Sequence, residues 1–134
     1  MTTVVDASAL VAALVDQGPD GRWASATLAA DRAAAPELLL AETSSTLRQL
    51  ERRGVLAPFE AAGAHQAALR LDVELFPFEP FATRTWELRH SLTVYDAWYV
   101  AVAEMVGGRL ATLDRRMARA DGPRCEIVVP PAPH

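Results

Sequence analysis

The chain has 134 residues, 51% of them apolar and 22% charged, with 7 Gly and 9 Pro, proportions of a globular domain rather than of a disordered or collagenous chain. At this length folding removes roughly 65 to 70% of the unfolded chain's surface from water, so neither a metal nor a disulfide is required for stability. A lone Cys125 excludes a disulfide framework and multi-cysteine metal sites, the net charge of −4 opposes a general polyanion-binding surface, and the 13 basic residues, all Arg, leave no lysine for P-loop, Schiff-base or receiver-type chemistry.

Thr2 to Val5 is a β-branched run that reads as a strand ending at Asp6, and Ser8 to Val15 has helix-forming composition. Gly18-Pro19-Asp20-Gly21 reads as a turn, after which Trp23, Ala26, Thr27 and Ala30 recur at helical spacing over Arg22 to Asp31. Ala33 to Ala35 is a strand candidate. Pro36 suits the first turn of a long helix over Glu37 to Arg53, capped by Gly54. Pro58 opens a helix over Phe59 to Leu71, and Val73 to Phe78 reads as a strand in which Pro77 marks the end or an edge position. Phe81 to His90 and Thr93 to Val106 are helical, the latter stopped by Gly107-Gly108. Arg109 to Leu113 is a strand, Asp114 to Ala120 a short helix, Cys125 to Val129 a last strand, and residues 130–134 a frayed tail.

This alternation predicts a single α/β domain over residues 1–134, with a parallel central sheet of about five short strands flanked by helices on both faces. No apolar run approaches the roughly 18 residues of a membrane span, and no basic-then-apolar leader is read at the amino terminus. A reducing, cytoplasmic location away from membranes is expected.

In such a sheet the ligand crevice lies outside the carboxyl ends of the strands. Asp6 follows Val4-Val5 and Asp114 follows Leu110-Ala-Thr-Leu113, so both project at one rim if the two strands are neighbours. An aspartate in that place also caps the next helix. Glu42 follows Leu38-Leu39-Leu40-Ala41 in the second turn of its helix and shares a face with Leu38, where an unpaired carboxylate needs a cation, a hydrogen-bond partner or a solvated crevice. Asp96, in Thr93-Val94-Tyr95-Asp96, resembles the last residue of a capping box, and the helix dipole favours an acid there in any protein.

The four acids nevertheless occupy matching places, two after strands and two at the amino-terminal ends of helices, and those ends point to one rim. Four carboxylates within about 5 Å of one another repel by roughly 3 kcal/mol per pair at an effective dielectric near 20, a conflict that a divalent cation resolves. Hard oxygen ligands without His or Cys select Mg²⁺ or Mn²⁺ over Zn²⁺.

These residues resemble a known family, the PIN-domain nucleases, and specifically the VapC-like ribonuclease toxins of bacterial and archaeal toxin–antitoxin systems. The likeness runs nearly end to end, through Val4 to Leu10, Pro36 to Leu47 around Glu42, Leu92 to Ala101 around Asp96, and Leu110 to Met117 around Asp114. It implies that Asp6, Glu42, Asp96 and Asp114 form the acidic Mg²⁺ site of an endoribonuclease, with Mn²⁺ as a substitute. Ser8 and Thr112 match hydroxyl positions beside that site, although helix capping and strand propensity account for them as well. Some relatives carry a further acid two residues past the last Asp; here Arg116 stands in its place, which points to a metal-poor site. The resemblance also implies an RNA substrate, a small antitoxin protein and a homodimer.

Arg115, Arg116 and Arg119 after Asp114, and Arg48, Arg52 and Arg53 after Glu42, are solvated faces that also suit phosphate clamps in an acidic protein. His65, His90 and His134 match no metal pair or triad and are expected in solvent, while Trp23, Trp86, Trp98 and Tyr99 are expected in the core or a subunit contact rather than stacked on bases. Two other readings stay open. One is a non-catalytic PIN-like module binding RNA or protein. The other is a dehalogenase-type phosphohydrolase with Asp6 as nucleophile, which wants an acid where Ser8 stands and a late Lys that is missing.

Overall fold

A computed structural model describes residues 1–133; of the expected carboxyl-terminal tail, His134 lies outside the described residues. Five strands, β1 (Thr2–Val5), β2 (Arg32–Pro36), β3 (Val73–Phe76), β4 (Arg109–Ala111) and β5 (Ile127–Val128), form one sheet in the order β3-β2-β1-β4-β5. Every neighbouring pair is parallel. The helices are α1 (Ala7–Val15), α2 (Pro19–Ala30), α3 (Leu38–Arg52), α4 (Pro58–Arg70), α5 (Ala82–Glu87), α6 (Val94–Val106) and α7 (Arg115–Ala118), with a 3₁₀ turn at Glu79–Phe81.

The winding explains where a crevice opens. From β1 the chain steps outward through α1 and α2 to β2, then through α3 and α4 to β3; it next returns across the sheet through α5 and α6 to β4 and continues to β5. Because such crossovers are right-handed, the reversal sends the two helix sets to opposite faces and leaves a topological switch point between β1 and β4. Helices α1 to α4 pack on one another, whereas α5 packs on α6, which lies against β1, β2 and β4.

Apolar burial drives this arrangement. Val4, Val5, Leu10, Leu39, Val100, Val102 and Leu110 are at most 1% exposed, and each such side chain contributes roughly 1.5 to 3 kcal/mol by leaving water. Helix α6 is buried at seven consecutive residues, Ala97 to Ala103, as expected of a helix apolar all round. It ends at Gly107, whose φ of 67° is the left-handed cap conformation that costs glycine little.

Several boundaries differ from the sequence reading. Pro19-Asp20-Gly21 forms the first turn of α2 rather than a free turn, because Pro19 sits where a helix needs no N–H and a Cβ at Gly21 would stand 1.7 Å from the Asp16 carbonyl oxygen. Pro36 closes β2 instead of opening α3: pairing with β1 already ends at Ala34, so its missing N–H costs no ladder bond there. The tail is not frayed at its start, since Pro130 is buried and its carbonyl accepts from Arg115 Nη2 at 2.7 Å. No helix among the described residues is long and apolar enough to cross a membrane.

Candidate active site

Strands β1 and β4 are neighbours, with Val5 opposite Ala111, so Asp6 and Asp114 leave the sheet at the same rim beside the switch point. The Asp6 N–H still donates to the Ala111 carbonyl at 3.2 Å, which fixes its backbone at the sheet edge. Its side chain is 8% exposed and held from three sides. Ser8 Oγ donates to Oδ1 at 2.6 Å, Thr112 Oγ1 donates to Oδ2 at 2.5 Å, and the Ala9 N–H donates to Oδ1 at 3.0 Å, the last being the cap of α1. The two hydroxyls reach onward, because Leu113 N–H donates to Ser8 Oγ and Asp114 N–H donates to Thr112 Oγ1, each at 3.0 Å. Ser8 and Thr112 therefore tie the segment that carries Asp114 to the carboxylate of Asp6. The capping and strand roles weighed for them from the sequence are not the ones they play: Asp6 rather than Ser8 caps α1, and Thr112 lies just past the end of β4.

Glu42 is half-buried in α3, and its Oε1 accepts the hydroxyl of Tyr99 at 2.7 Å. Tyr99, expected in the core or a subunit contact, sits in the core at 2% exposure. No sequence signal pointed to its contact with Glu42, which joins residues 57 apart in the chain. Asp96 is half-buried in the first turn of α6, where Thr93 Oγ1 accepts the Asp96 N–H at 3.1 Å. The return bond from Asp96 to the Thr93 N–H that would complete a capping box is not formed, so capping does not account for its carboxylate.

The electrostatics separate these acids. Burial pushes the Asp6 carboxyl above its usual range against the opposing effect of its three donors, and Asp114 adds to the rise. Burial likewise raises Glu42, with Tyr99 opposing and Asp96 and Asp6 adding to it. Asp96 is raised by burial and by Asp6 and Asp114, partly offset by Thr93 and Arg116. Asp114 behaves differently: its modest burial is outweighed by Arg116, which holds it below the usual range. Arg116 Nε lies 3.3 Å from Asp114 Oδ1 on a side chain 86% exposed. The Arg116 N–H also donates to Oδ1 at 2.9 Å, capping α7.

All four acids thus share one electrostatic neighbourhood, yet they are not gathered as tightly as the sequence suggested. Among the described residues no three His, Cys, Asp or Glu side chains stand close enough to close around an ion. Like charges repel, and three of the four acids are drawn toward separate donors: Asp6 to the two hydroxyls, Glu42 to Tyr99 and Asp114 to Arg116. The donor chemistry still fits a hard divalent cation. All candidate ligands are carboxylate oxygens, three of them raised in part by one another's charge, and Mg²⁺ is commonly held by one or two carboxylates and water rather than by a closed cage.

The remaining sequence candidates divide. Arg115 is engaged with Pro130, Arg116 with Asp114, and Arg119 is exposed on the turn after α7. His90 is exposed, but His65 is half-buried and its Nε2 lies 2.8 Å from Ser44 Oγ, contrary to the expectation of a free surface histidine. Trp98 is 8% exposed as expected of a core residue, whereas Trp86 is 62% exposed with the Arg89 guanidinium 4.4 Å from its ring centre.

Comparison with known proteins follows the same lines. A family profile described as PIN domain matches residues 3–123. Ribonuclease VapC9 of Mycobacterium tuberculosis is 39% identical over 128 residues, 96% of this chain and 98% of that protein. Ribonuclease VapC1 of the same organism is 38% identical over 125 residues, 92% of this chain and 94% of that one. The crystal structure of VapBC2 from Rickettsia felis bound to a promoter DNA fragment aligns with a TM-score of 0.69 at 14% identity, covering 98% of this chain and all of that chain, a likeness of fold alone. A sheet of this order with its acids at the β1/β4 switch point, matched along almost its whole length, places the chain in the PIN-domain family, among its VapC-like members.

Proposed function

We propose that the chain is a Mg²⁺-dependent endoribonuclease toxin that acts in the cytoplasm and is held in check by a small antitoxin protein. The observation that carries this reading is the pairing of Asp6 and Asp114 on adjacent strand ends at the switch point, with Glu42 and Asp96 electrostatically coupled to them. The names of the VapC9 and VapC1 relatives support the ribonuclease part, and the M. tuberculosis VapBC-5 structure of similar fold, described as a member of the VapBC family of toxin-antitoxin systems, supports the antitoxin part.

Asp6, Glu42, Asp96 and Asp114 would hold the ion, one or two directly and the others through its water, and the ion would neutralise charge developing on phosphodiester oxygens and raise the acidity of water. The chain's own residues do the rest. Ser8 and Thr112 keep Asp6 in one orientation, so its charge is aimed before substrate arrives. Asp96, whose carboxylate is not spent on its own helix cap, is the acid available to orient water for in-line attack on phosphorus. Arg116 and Arg119, exposed beside Asp114, offer forked donors to phosphate oxygens in a protein whose net charge repels them. Arg115 joins them only by releasing Pro130. A homodimer, implied by the family resemblance, completes the reading and is checked by sedimentation of the purified chain.

The test is expression without an antitoxin. Wild-type protein should arrest bacterial growth and degrade cellular RNA, and Asp96→Asn should abolish both while melting like the wild type. Arrest that survives Asp96→Asn without RNA cleavage would favour the non-catalytic binding module instead.

A further inference from the structure

Glu42 depends on a second element for its orientation. Its side chain leaves α3 half-buried, and Oε1 accepts the Tyr99 hydroxyl at 2.7 Å across 57 residues of sequence. Tyr99 is not free to follow a wandering carboxylate. The ring is 2% exposed within the main hydrophobic core, so the position of the hydroxyl is set by close packing rather than by solvent. Asp96 and Tyr99 are three residues apart in α6, neighbours on one side of the helix, and the turn that presents one acid of the rim also presents the donor that holds another.

We infer that Tyr99 is a positioning residue of the metal site, whose hydroxyl locks the Glu42 carboxylate between α3 and α6 and so presets the oxygen that Glu42 offers to a divalent cation. The inference rests on the reading of Glu42 as a cation ligand. Tyr99→Phe removes one oxygen atom and leaves the ring that fills the core, which separates positioning from packing.

The experiment is a double-mutant cycle read by Mn²⁺ titration calorimetry on wild type, Tyr99→Phe, Glu42→Ala and the double variant. Tyr99→Phe should weaken Mn²⁺ binding by roughly 10- to 100-fold, the range seen when the partner of a metal ligand is removed. Glu42→Ala should weaken it at least as much, and the double variant should bind no more weakly than Glu42→Ala alone. Unchanged affinity in Tyr99→Phe overturns the inference. So does a Tyr99 effect that persists in full on the Glu42→Ala background, which is what a purely structural role would give. If Glu42→Ala itself binds Mn²⁺ like the wild type, the ligand reading of Glu42 fails and the inference falls with it. A measurement on the wild type covers the case in which Tyr99→Phe folds poorly: the Tyr99 ring carbon bearing the hydroxyl should shift in NMR spectra on Mg²⁺ addition, and this shift should vanish in Glu42→Ala. A wild-type Tyr99 signal indifferent to Mg²⁺ contradicts the inference.

Discussion

Asp6 and Asp114 occupy equivalent places at the ends of adjacent parallel strands, and each caps the helix that follows, yet their surroundings are opposite. Two residues past Asp6 stands Ser8, a hydroxyl that donates to it; two residues past Asp114 stands Arg116, a cation that neutralises it. Asp6 is buried and pushed up by that burial, while Asp114 stays near solvent and is pulled down by the guanidinium. Topology brings a carboxylate to the crevice, but the residue two positions on decides how much charge it presents there. The half of the rim around Asp6 is rigid and electrostatically strained, and the half around Asp114 is compensated and adjustable.

The largest consequence concerns charge at the rigid half. Asp6→Asn keeps the acceptor of the α1 cap but removes the charge, and RNA cleavage should fall by about 100-fold or more, beyond the loss typical of a ligand's supporting partner. Mn²⁺ affinity should fall with it, and equal affinities for variant and wild type would remove Asp6 from the site.

The next consequence lies in the hydroxyl bridge. Thr112→Val keeps the shape of a fully buried residue while stranding the Asp114 N–H and one oxygen of Asp6, which should destabilise the fold by roughly 1 to 3 kcal/mol in urea melts. A melt identical to the wild type would show that the bridge is not formed in solution.

How much of this was readable from sequence differs between the halves for physical reasons. The β-branched run before Asp6 and the Leu-rich run before Glu42 announce their elements through periodicity, and a parallel sheet followed from helix-strand alternation, whereas the strand order came only from the structure. The partners of the acids did not announce themselves. Tyr99 reads as one more core aromatic in a helix that is apolar all round, because a contact between α3 and α6 leaves no local pattern. The Asp114–Arg116 pair looked like a solvated face. Pro36 and Pro19 were misplaced because proline tolerates both a strand end and a helix start, and register with β3 and the close approach of Gly21 to Asp16 decided between them.

A smaller effect follows from the pKa directions. Asp6, Glu42 and Asp96 are raised in the folded state, so the native protein binds protons more readily than the unfolded chain and gains stability as pH falls toward the ordinary carboxylate range. Asp114 and Glu104 are lowered, Glu104 because Arg84 and the Arg124 N–H outweigh its burial, and their contributions are lost as pH falls through their depressed values. Metal-free protein should therefore gain stability as pH falls from neutral toward the ordinary carboxylate range and lose it again once pH passes below that range, and saturating Mg²⁺ should remove the gain. A steady loss of stability from pH 7 downward would show that the strain around Asp6 is absent.

The smallest effect belongs to the adjustable half. Arg116→Gln should leave melting unchanged, because an ion pair this exposed contributes little. In a catalytically inert Asp96→Asn background it should flatten the dependence of log RNA affinity on log salt by roughly 0.7, one phosphate contact on a single strand. An unchanged slope would assign Arg116 to Asp114 alone.

The central claim, that the acidic rim between β1 and β4 cuts RNA with a divalent ion, is tested most directly by following cleavage of a single-stranded RNA oligonucleotide by the purified, partner-free chain. Cleavage is predicted in Mg²⁺, its loss on chelation, its return with added Mn²⁺, and cleavage by Asp6→Asn at least about 100-fold slower in either metal. Cleavage that persists in chelator, or that Asp6→Asn performs at the wild-type rate, would contradict it.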